Sequence, residues 1–354
     1  MRNPLARRRR NDSDAALLLG AGLGAALGAA AWYWNDTRYS LKGQVALIAG
    51  ASRGLGLELA EEFARQGCSV VICARNEEEL GRARASLESR GARVFAIPCD
   101  VGDREQVQRL VSLARARFGS IDILCNVAGI IQVGPIESMT AADFEEAMKV
   151  MFWGTVYPTL EVLPAMMARQ RGRIVNITSI GGKVSVPHLI PYNCAKFAAV
   201  AFSEGLNAEM RAHNVKVVTI VPGLMRTGSF LNAFFKGRQE REFNWFGMGA
   251  TMPGISMNAR RAARQIVAAA RRGQSERVLS KPAQALALLH GVFPGLTAEL
   301  MAMANSLLLP VAEGGSTGRV SGTEVSSRTA VGRALRVLGG RAARRLNQVG
   351  PKAA

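Results

Sequence analysis

The feature that most constrains the fold is a regular alternation of short apolar runs with longer helical stretches. Buried parallel strands are continuous apolar runs, and strands that alternate with helices are typical of a parallel sheet covered on both faces. We therefore predict an α/β fold, a doubly wound parallel sheet of about seven strands flanked by helices. The assigned strands are 45–49, 69–74, 93–97, 121–125, 173–178 and 215–221.

A glycine-rich turn directly follows the first predicted strand and opens a helix that continues through Gln66. In a parallel sheet this order puts the turn at the carboxyl edge, where the N–H groups of a helix N-terminus can hold a pyrophosphate. The arrangement is that of a Rossmann-type dinucleotide site. The candidate cofactor-binding residues of the turn are Gly50, Ser52, Arg53, Gly54, Leu55 and Gly56.

The end of the second strand indicates which dinucleotide binds. Proteins that bind NAD usually have an acidic residue there to hold the ribose 2′-hydroxyl. This chain has Cys73-Ala74-Arg75, without an acid. Arg75 and Arg53 could together hold a 2′-phosphate through charge-assisted hydrogen bonds, which favours NADP(H) over NAD(H). The alternative is that both arginines are ordinary surface charges.

Three residues of the sequence could carry out acid–base chemistry: Ser179, Tyr192 and Lys196. Tyr192 and Lys196 are four residues apart, so they share one face of a helix. An ammonium near a phenol lowers the phenol's pKa, so that Tyr192 could exchange a proton with a substrate oxygen while a hydride moves. Ser179 could hold and polarise the same oxygen. We take these three residues as the candidate catalytic group.

Together these motifs resemble the short-chain dehydrogenase/reductase family over about residues 42–280. The resemblance implies that Tyr192 is the acid–base, that Ser179 binds the substrate oxygen, and that Lys196 binds the nicotinamide ribose. It implies a homodimer, an NADP(H) or NAD(H) cofactor, and further cofactor contacts at the adenine and nicotinamide ends. Those further cofactor-binding residues are Asp100, Val101, Asn126, Ala128, Gly129, Pro222, Gly223 and Thr227.

Three positions depart from the family pattern. Ala49 and Val127 replace a Thr and an Asn that pair in relatives, and we interpret this as a compensated exchange because both partners of one hydrogen bond are lost. Met151 replaces an Asn that holds a water linking the active-site lysine to solvent, and methionine does this poorly. Either another group completes this relay, or turnover is slow, or the protein is mainly a cofactor-binding scaffold or regulator.

The N-terminus favours a membrane. Arg7–Arg10 precede an uncharged stretch, 15–34, which is long enough for one crossing as a helix. Trp32 and Trp34 end it as an interfacial aromatic belt would. We predict a basic segment at 1–14 and a hydrophobic anchor helix at 15–34. A monotopic or re-entrant anchor, a cleaved signal peptide and a soluble or disordered leader are alternatives.

Charge and composition bear on the partners of the tails, the redox compartment and metal binding. The net charge is +18, with arginines concentrated near both ends, so nucleic acid or anionic lipid could bind the tails, although we expect no specific nucleic acid partner. Five cysteines without a CxxC pair indicate a reducing compartment. The three histidines are scattered, so we assign no metal.

The segment from Leu224 to Met257 is expected to cover the site as a lid. Its many aromatic and Met side chains suit a lipophilic alcohol or carbonyl substrate, or else only pack the lid on the core. The layout is similar to that of membrane-anchored hydroxysteroid dehydrogenases. The apolar lid residues are Phe230, Phe234, Phe235, Phe243, Trp245, Phe246, Met248 and Met252.

Three regions complete the predicted organisation. Residues 42–280 form the NADP(H)-binding domain, 281–312 form apolar helices, and 313–354 form a basic tail. Within that tail we predict a linker at 313–327, then either a membrane-surface helix or disorder. The sequence thus predicts a membrane-associated oxidoreductase of lipophilic alcohols and carbonyls, with its catalytic domain facing the cytoplasm.

Overall fold

The computed structural model describes residues 39–308, 316–325 and 329–349, together with Gly24. Residues 41–354 belong to one compact unit. The predicted anchor helix at 15–34 lies outside the described residues, Gly24 excepted. Within the described part of the chain, no helix combines the length and the apolar character that a membrane crossing requires.

The sheet has seven parallel strands in the order β3-β2-β1-β4-β6-β7-β11, which confirms the predicted architecture. A three-stranded sheet, β12-β9-β5, and a two-stranded one, β10-β8, lie outside it. The strands are β1 (Val45–Ala49), β2 (Ser69–Ala74), β3 (Val94–Pro98), β4 (Ile123–Asn126), β5 (Gln132–Val133), β6 (Gly172–Ile177), β7 (Val215–Val221), β8 (Met225–Arg226), β9 (Phe234–Gly237), β10 (Met257–Asn258), β11 (Glu276–Val278) and β12 (Ser316–Ser321).

Helices cover both faces of the sheet, and a π-helix (Met148–Trp153) interrupts one of the helical stretches. The α-helices are α1 (Gly54–Arg65), α2 (Glu77–Glu88), α3 (Arg104–Phe118), α4 (Ala141–Ala147), α5 (Gly154–Ala168), α6 (Ile190–Met210), α7 (Gln239–Thr251), α8 (Ala259–Arg272), α9 (Lys281–Val292), α10 (Pro294–Leu308) and α11 (Ala330–Arg345).

The central strands are mostly apolar on both faces, and their few polar side chains are buried with hydrogen-bond partners, as Asn126 and Asn176 are with each other. Every residue of β1, β4 and β6 is buried. The strand order reverses at β1, which pairs with β2 on one side and β4 on the other, so that Ala49 lies beside both Cys73 and Asn126. In open parallel sheets ligands bind at such a switch point, outside the carboxyl ends of the strands.

The lid and the C-terminal region share a second apolar core. Phe230, Phe235, Phe243 and Phe246 are buried there together with Leu335 of α11. Packing on the core is therefore the main role of these four lid residues, which was the alternative interpretation. Met248 and Met252 are exposed instead.

The tail differs from its prediction as a linker followed by a surface helix or disorder. Residues 316–321 form β12, which pairs antiparallel with β9. Helix α11 packs on the lid through small residues: a side chain at Gly339 would collide with the Phe230 ring. The sequence pattern missed this packing because its apolar partners lie about a hundred residues earlier in the chain.

Candidate active site

A cleft of about 480 Å³ opens at the carboxyl edge of the sheet, at the switch point between β1 and β4. It brings together the glycine turn, the end of β2, the loop after β4 and the catalytic group. All but one of the predicted site residues line it, namely Gly50, Ser52, Arg53, Gly54, Leu55, Gly56, Arg75, Asp100, Val101, Ala128, Gly129, Ser179, Tyr192, Lys196, Pro222, Gly223 and Thr227.

Asn126 is the exception, because it lies behind the cleft wall. It is buried, and its amide donates to the Asn176 side chain at 2.8 Å and to the Thr159 hydroxyl at 3.0 Å. Asn176 in turn donates to Ser203. These contacts give Asn126 a bracing function between β4, β6 and α5, in place of the predicted direct lining of the cofactor site.

Close backbone contacts require glycine in the turn. Gly50 has φ +93°, and a Cβ there would lie 2.6 Å from the Ala128 backbone. A Cβ at Gly56 would lie 2.0 Å from the Gly50 carbonyl oxygen. Within the described residues, the N–H groups of Leu55 and Gly56 make no hydrogen bond. The first turn of α1 therefore presents free donors to the cleft, which fits the phosphates of a dinucleotide.

Backbone bonds replace the side-chain pair missing at Ala49 and Val127. The N–H groups of Val127 and Ala128 both donate to the Ala49 carbonyl at 2.9 Å. The loop after β4 is thus tied to β1 without either side chain, and no buried polar partner is left over at these two positions.

The end of the cleft near β2 carries an acid that the sequence analysis did not identify. Glu79, in the first turn of α2, accepts from Arg53 at 2.9 Å and from the Ser52 hydroxyl at 3.2 Å. Arg53 also donates to Asn232 in the lid at 3.1 Å. Arg75 is exposed and has no ion pair within the described residues. Of the two predicted phosphate ligands, Arg75 is the one without a carboxylate partner.

The catalytic group assembles from β6 and α6. Ser179 follows β6, and Tyr192 and Lys196 lie one turn apart near the start of α6. The Lys196 ammonium lies 5.9 Å from the centroid of the Tyr192 ring and donates to the Ile177 carbonyl at 2.8 Å. The Ser179 hydroxyl, which accepts from the Gly181 N–H at 3.0 Å, lies near enough to Tyr192 to lower the pKa of the phenol. The three side chains therefore face one end of the cleft together.

Burial dominates the protonation of these groups. It raises the pKa of Tyr192, and the neighbouring Ser179 hydroxyl opposes this only in part. It lowers the pKa of Lys196 to about 8. The predicted lowering of the Tyr192 pKa by Lys196 is therefore wrong for this structure. Desolvation of the phenol raises its pKa by more than Ser179 lowers it. At neutral pH Tyr192 holds its proton, and Lys196 is mostly charged.

Met151 lies in the π-helix, next to the catalytic lysine. The Met151 side chain is fully buried, and a Cβ on Gly129 would lie 3.7 Å from its sulfur and 3.9 Å from the Lys196 ammonium. Inserted π-helical turns are frequent at functional sites because they re-aim side chains. The irregular turn thus directs a thioether, not a polar group, toward the lysine.

Apolar side chains also line the cleft. Phe234 is the one predicted lid aromatic among its lining residues, and Ile130, Ile131 and Met225 join it. Asn232 and Gln348 also line the cleft, and no motif in the sequence indicated either of them. Among the described residues no cluster of His, Cys, Asp or Glu could hold a metal ion.

Comparison with known proteins agrees with this geometry. The family model for short chain dehydrogenases matches residues 44–234. The protein belongs to the short-chain dehydrogenase/reductase family. Its fold and site are those of a short chain dehydrogenase.

Individual relatives extend the match. A dehydrogenase/reductase SDR family protein 7-like from Anopheles gambiae is 42% identical over 199 residues, 54% of this chain and 62% of that protein. The dehydrogenase/reductase SDR family member 7B of Bos taurus is 32% identical over 277 residues, 76% of this chain and 83% of that protein.

A solved structure, a variant of actinorhodin polyketide ketoreductase with NADPH, superposes with a TM-score of 0.59 at 27% identity, covering 67% of this chain and 95% of that one. The match to the Anopheles protein spans less than two thirds of that relative, so the activity of the whole relative does not transfer directly.

Proposed function

We propose that this protein is an NADP(H)-dependent oxidoreductase that interconverts a lipophilic alcohol and its ketone or aldehyde. One observation carries the proposal: Ser179, Tyr192 and Lys196 meet at one end of the cleft whose other end is the glycine turn. A dinucleotide whose phosphates lie on the turn would reach the catalytic group with its nicotinamide.

The chain's own residues handle the substrate oxygen and its proton. Ser179 and Tyr192 both line the cleft near each other, so both hydroxyls can bind one substrate oxygen. The cofactor supplies or accepts the hydride. In reduction Tyr192 donates its proton to that oxygen. Because burial keeps the phenol protonated at neutral pH, the resting site is prepared for reduction.

Lys196 acts through charge and position. Its ammonium is fixed by the Ile177 carbonyl beside the phenol ring. There it can stabilise the phenolate that remains after proton transfer and bind a ribose hydroxyl of the cofactor. Both actions need the charged form, which prevails below about pH 8.

The preference for NADP(H) rests on Arg75. It is exposed at the cleft, at the end of β2, without a carboxylate partner in the described structure. A 2′-phosphate would find a free guanidinium there, whereas Arg53 would have to be shared with Glu79. Solved relatives contain either dinucleotide, NADPH in one and NAD in another, so the preference rests on Arg75 alone.

The lipophilic substrate class rests on the apolar residues of the cleft. Ile130, Ile131, Met225 and Phe234 line it, Ile130 and Ile131 belong to the same apolar clusters as Tyr192, and burial of apolar substrate surface there would contribute binding energy. We further propose that the chain is membrane-associated through residues 15–34, that the catalytic domain faces the cytoplasm, and that it forms a homodimer. The uncharged length of 15–34 and the family resemblance support these proposals.

Replacement of Tyr192 by Phe tests the proposal, with Tyr157→Phe as the matched control because Tyr157 stacks on Trp153 away from the cleft. We expect Tyr192→Phe to lower NADPH-dependent kcat/KM on lipophilic ketones by at least about 100-fold, the usual scale of general acid catalysis, and to leave NADPH affinity nearly unchanged. Undiminished turnover in Tyr192→Phe would refute the assignment.

The buried thioether of Met151 favours one alternative, a catalytically weak scaffold or regulator that binds cofactor. The same experiment separates the two, because a scaffold would bind NADPH but turn over no ketone or alcohol in a broad panel, with or without the Tyr192 hydroxyl.

A further inference from the structure

Residues Leu346–Gln348 leave the end of α11 and cross the glycine turn; we call them the C-terminal strap. The N–H of Gly54 donates to the Leu346 carbonyl at 2.8 Å. Gly54 is the first residue of α1, so this N–H is one of the donors that a helix N-terminus offers to phosphate. A peptide carbonyl of the chain's own tail occupies it instead.

Asn347 fastens the strap to two walls of the cofactor site. Its side-chain amide donates to the Ser52 carbonyl at 2.8 Å and to the Glu79 carbonyl at 2.9 Å. Its side-chain oxygen accepts from Arg82 at 3.0 Å. Asn347 has φ +55°, a left-handed conformation that Asn adopts more readily than most residues and that turns the chain out of the helix.

Gln348 reaches into the cleft itself. The residue is buried, and its amide nitrogen lies 2.5 Å from the position that a Cβ on Gly54 would take. Asn232 of the lid donates to both the backbone and the side-chain oxygen of Gln348 at 2.8 Å. Arg53 donates to the same Asn232, so strap, lid and glycine turn form one hydrogen-bonded network.

Helix α11 delivers the strap to this place. Arg345, its last residue, pairs with the buried carboxylate of Glu58 in α1 at 3.2 Å. Ala343 packs so closely on the loop before Phe230 that a Cβ at Gly228 would lie 2.6 Å from its methyl group. The backbone N–H groups of Leu346, Asn347 and Gln348 close the last turn of α11, whereas, among the described residues, the side chains of Asn347 and Gln348 bond only to the lid and to the walls of the cofactor site.

From these contacts we infer that the C-terminal strap is an autoinhibitory element that competes with the phosphates of the dinucleotide for the glycine turn. This inference rests on the proposed function. When the strap is bound, Gly54 is taken and Gln348 fills space at the turn, while Leu55 and Gly56 remain free. Full cofactor binding requires that Leu346–Gln348 detach, so the measured affinity is the intrinsic one multiplied by the strap-free fraction.

The test measures NADPH and NADH dissociation constants by calorimetry on the full-length protein. Asn347→Ala with Gln348→Ala removes the side-chain contacts, and a chain ending at Arg345 also removes the Leu346 carbonyl while keeping α11 and β12. Val337→Ala is the matched control, because Val337 is 67% exposed on the same helix. Thermal unfolding confirms that each variant is folded.

We expect the double variant and the shortened chain to bind NADPH at least about fivefold more tightly than the wild type, and Val337→Ala to bind as the wild type does. We also expect added NADPH to speed tryptic release of the peptide after Arg344 and Arg345 in the wild type, because a detached strap is accessible. If the strap only stabilised the fold, its removal would not tighten NADPH binding, and NADPH would not speed tryptic release of the tail.

Two results would overturn the inference in different ways. If the wild type binds NADPH and both folded variants bind it equally or more weakly, or if NADPH protects the tail from trypsin, the strap is part of the site and not a competitor. If neither the wild type nor the variants bind NADPH or NADH, the proposed function fails and the competition fails with it.

Discussion

The carboxylate of Glu79 lies 2.9 Å from the guanidinium of Arg53, across the mouth of the cleft where a 2′-phosphate is expected. Both side chains are partly exposed, at 18% and 38%. The pair therefore neutralises one of the two arginines that the sequence assigns to the cofactor, and under the proposed function Arg75 is the main ligand of the 2′-phosphate.

Replacement of Glu79 by Gln should shift cofactor preference toward NADPH. It frees Arg53, and because partly exposed ion pairs contribute about 0–1 kcal/mol, we expect the ratio of NADH to NADPH dissociation constants to rise by up to about fivefold. Calorimetric titration with both dinucleotides measures it. Glu78→Gln is the control, since Glu78 is 90% exposed and outside the cleft. An unchanged ratio would show that Arg53 takes no part in the choice.

Arg75→Ala should weaken NADPH binding by about tenfold or more and leave NADH binding within about twofold. Only NADPH carries the 2′-phosphate, and a charge-assisted hydrogen bond to it is worth roughly twice a neutral one. The same titration measures both affinities. Equal losses for the two dinucleotides would mean that Arg75 serves the fold or the adenosine and does not read the phosphate.

The rate of ketone reduction should fall as pH rises through about 8. Burial sets the pKa of Lys196 near this value, so the amine is charged below it and neutral above it. Burial raises the pKa of Tyr192, so the phenol keeps its proton where Lys196 titrates and does not cause the fall in rate there. We expect kcat/KM to lose about tenfold per pH unit well above 8. In Lys196→Arg the residual activity should lack this fall, since guanidinium stays charged; a wild-type profile flat to pH 10 would contradict the assignment.

Met151→Asn should raise kcat, by up to about tenfold, if the missing amide limits proton exchange at Lys196. The same change buries a polar group, which costs about 1–3 kcal/mol of unfolding free energy unless it is hydrogen-bonded. Steady-state kinetics and chemical denaturation measure the two effects separately. Met151→Leu keeps the volume and should alter neither by much. A variant that loses stability without gaining rate would leave the thioether as a packing residue.

Truncation of Phe243 should mainly lower stability, whereas truncation of Phe234 should mainly raise KM. Phe243 is fully buried in the lid core, so Phe243→Ala should cost about 3–5 kcal/mol of unfolding free energy. Phe234 lines the cleft and is only half-buried, so Phe234→Ala should raise KM for lipophilic substrates severalfold with a smaller loss of stability. Denaturation and kinetics on both variants decide it, and equal stability losses would remove Phe234 from the substrate wall.

Local sequence patterns correctly predicted the strands made of apolar runs and the helix face shared by Tyr192 and Lys196. The apolar runs of β1 and β2 match the structure residue for residue, and the others agree to within about two positions. The spacing of Tyr192 and Lys196 placed both side chains on one helix face at the cleft. Strand β11 escaped detection because two of its three residues, Glu276 and Arg277, are polar and exposed.

Long-range contacts account for the rest of what the sequence could not provide. The bond from Asn347 to Ser52 joins residues 295 positions apart, and no periodicity near either end encodes it. Likewise the protonation of Tyr192 depends on how deeply the fold buries it, which residue spacing does not reveal. Asn126 was assigned by family resemblance to the cofactor, whereas its neighbours in space make it a brace.

Strand β9 has hydrogen-bonded neighbours on both sides, β5 within the catalytic domain and β12 from beyond residue 312. A chain shortened at that conventional domain limit would leave one side of β9 bare. Unpaired strand edges recruit edges of other molecules, so such a fragment would self-associate even though its dinucleotide fold is intact. The shortest stable form of this protein is therefore determined by the three-stranded sheet β12-β9-β5 and not by the seven-stranded sheet.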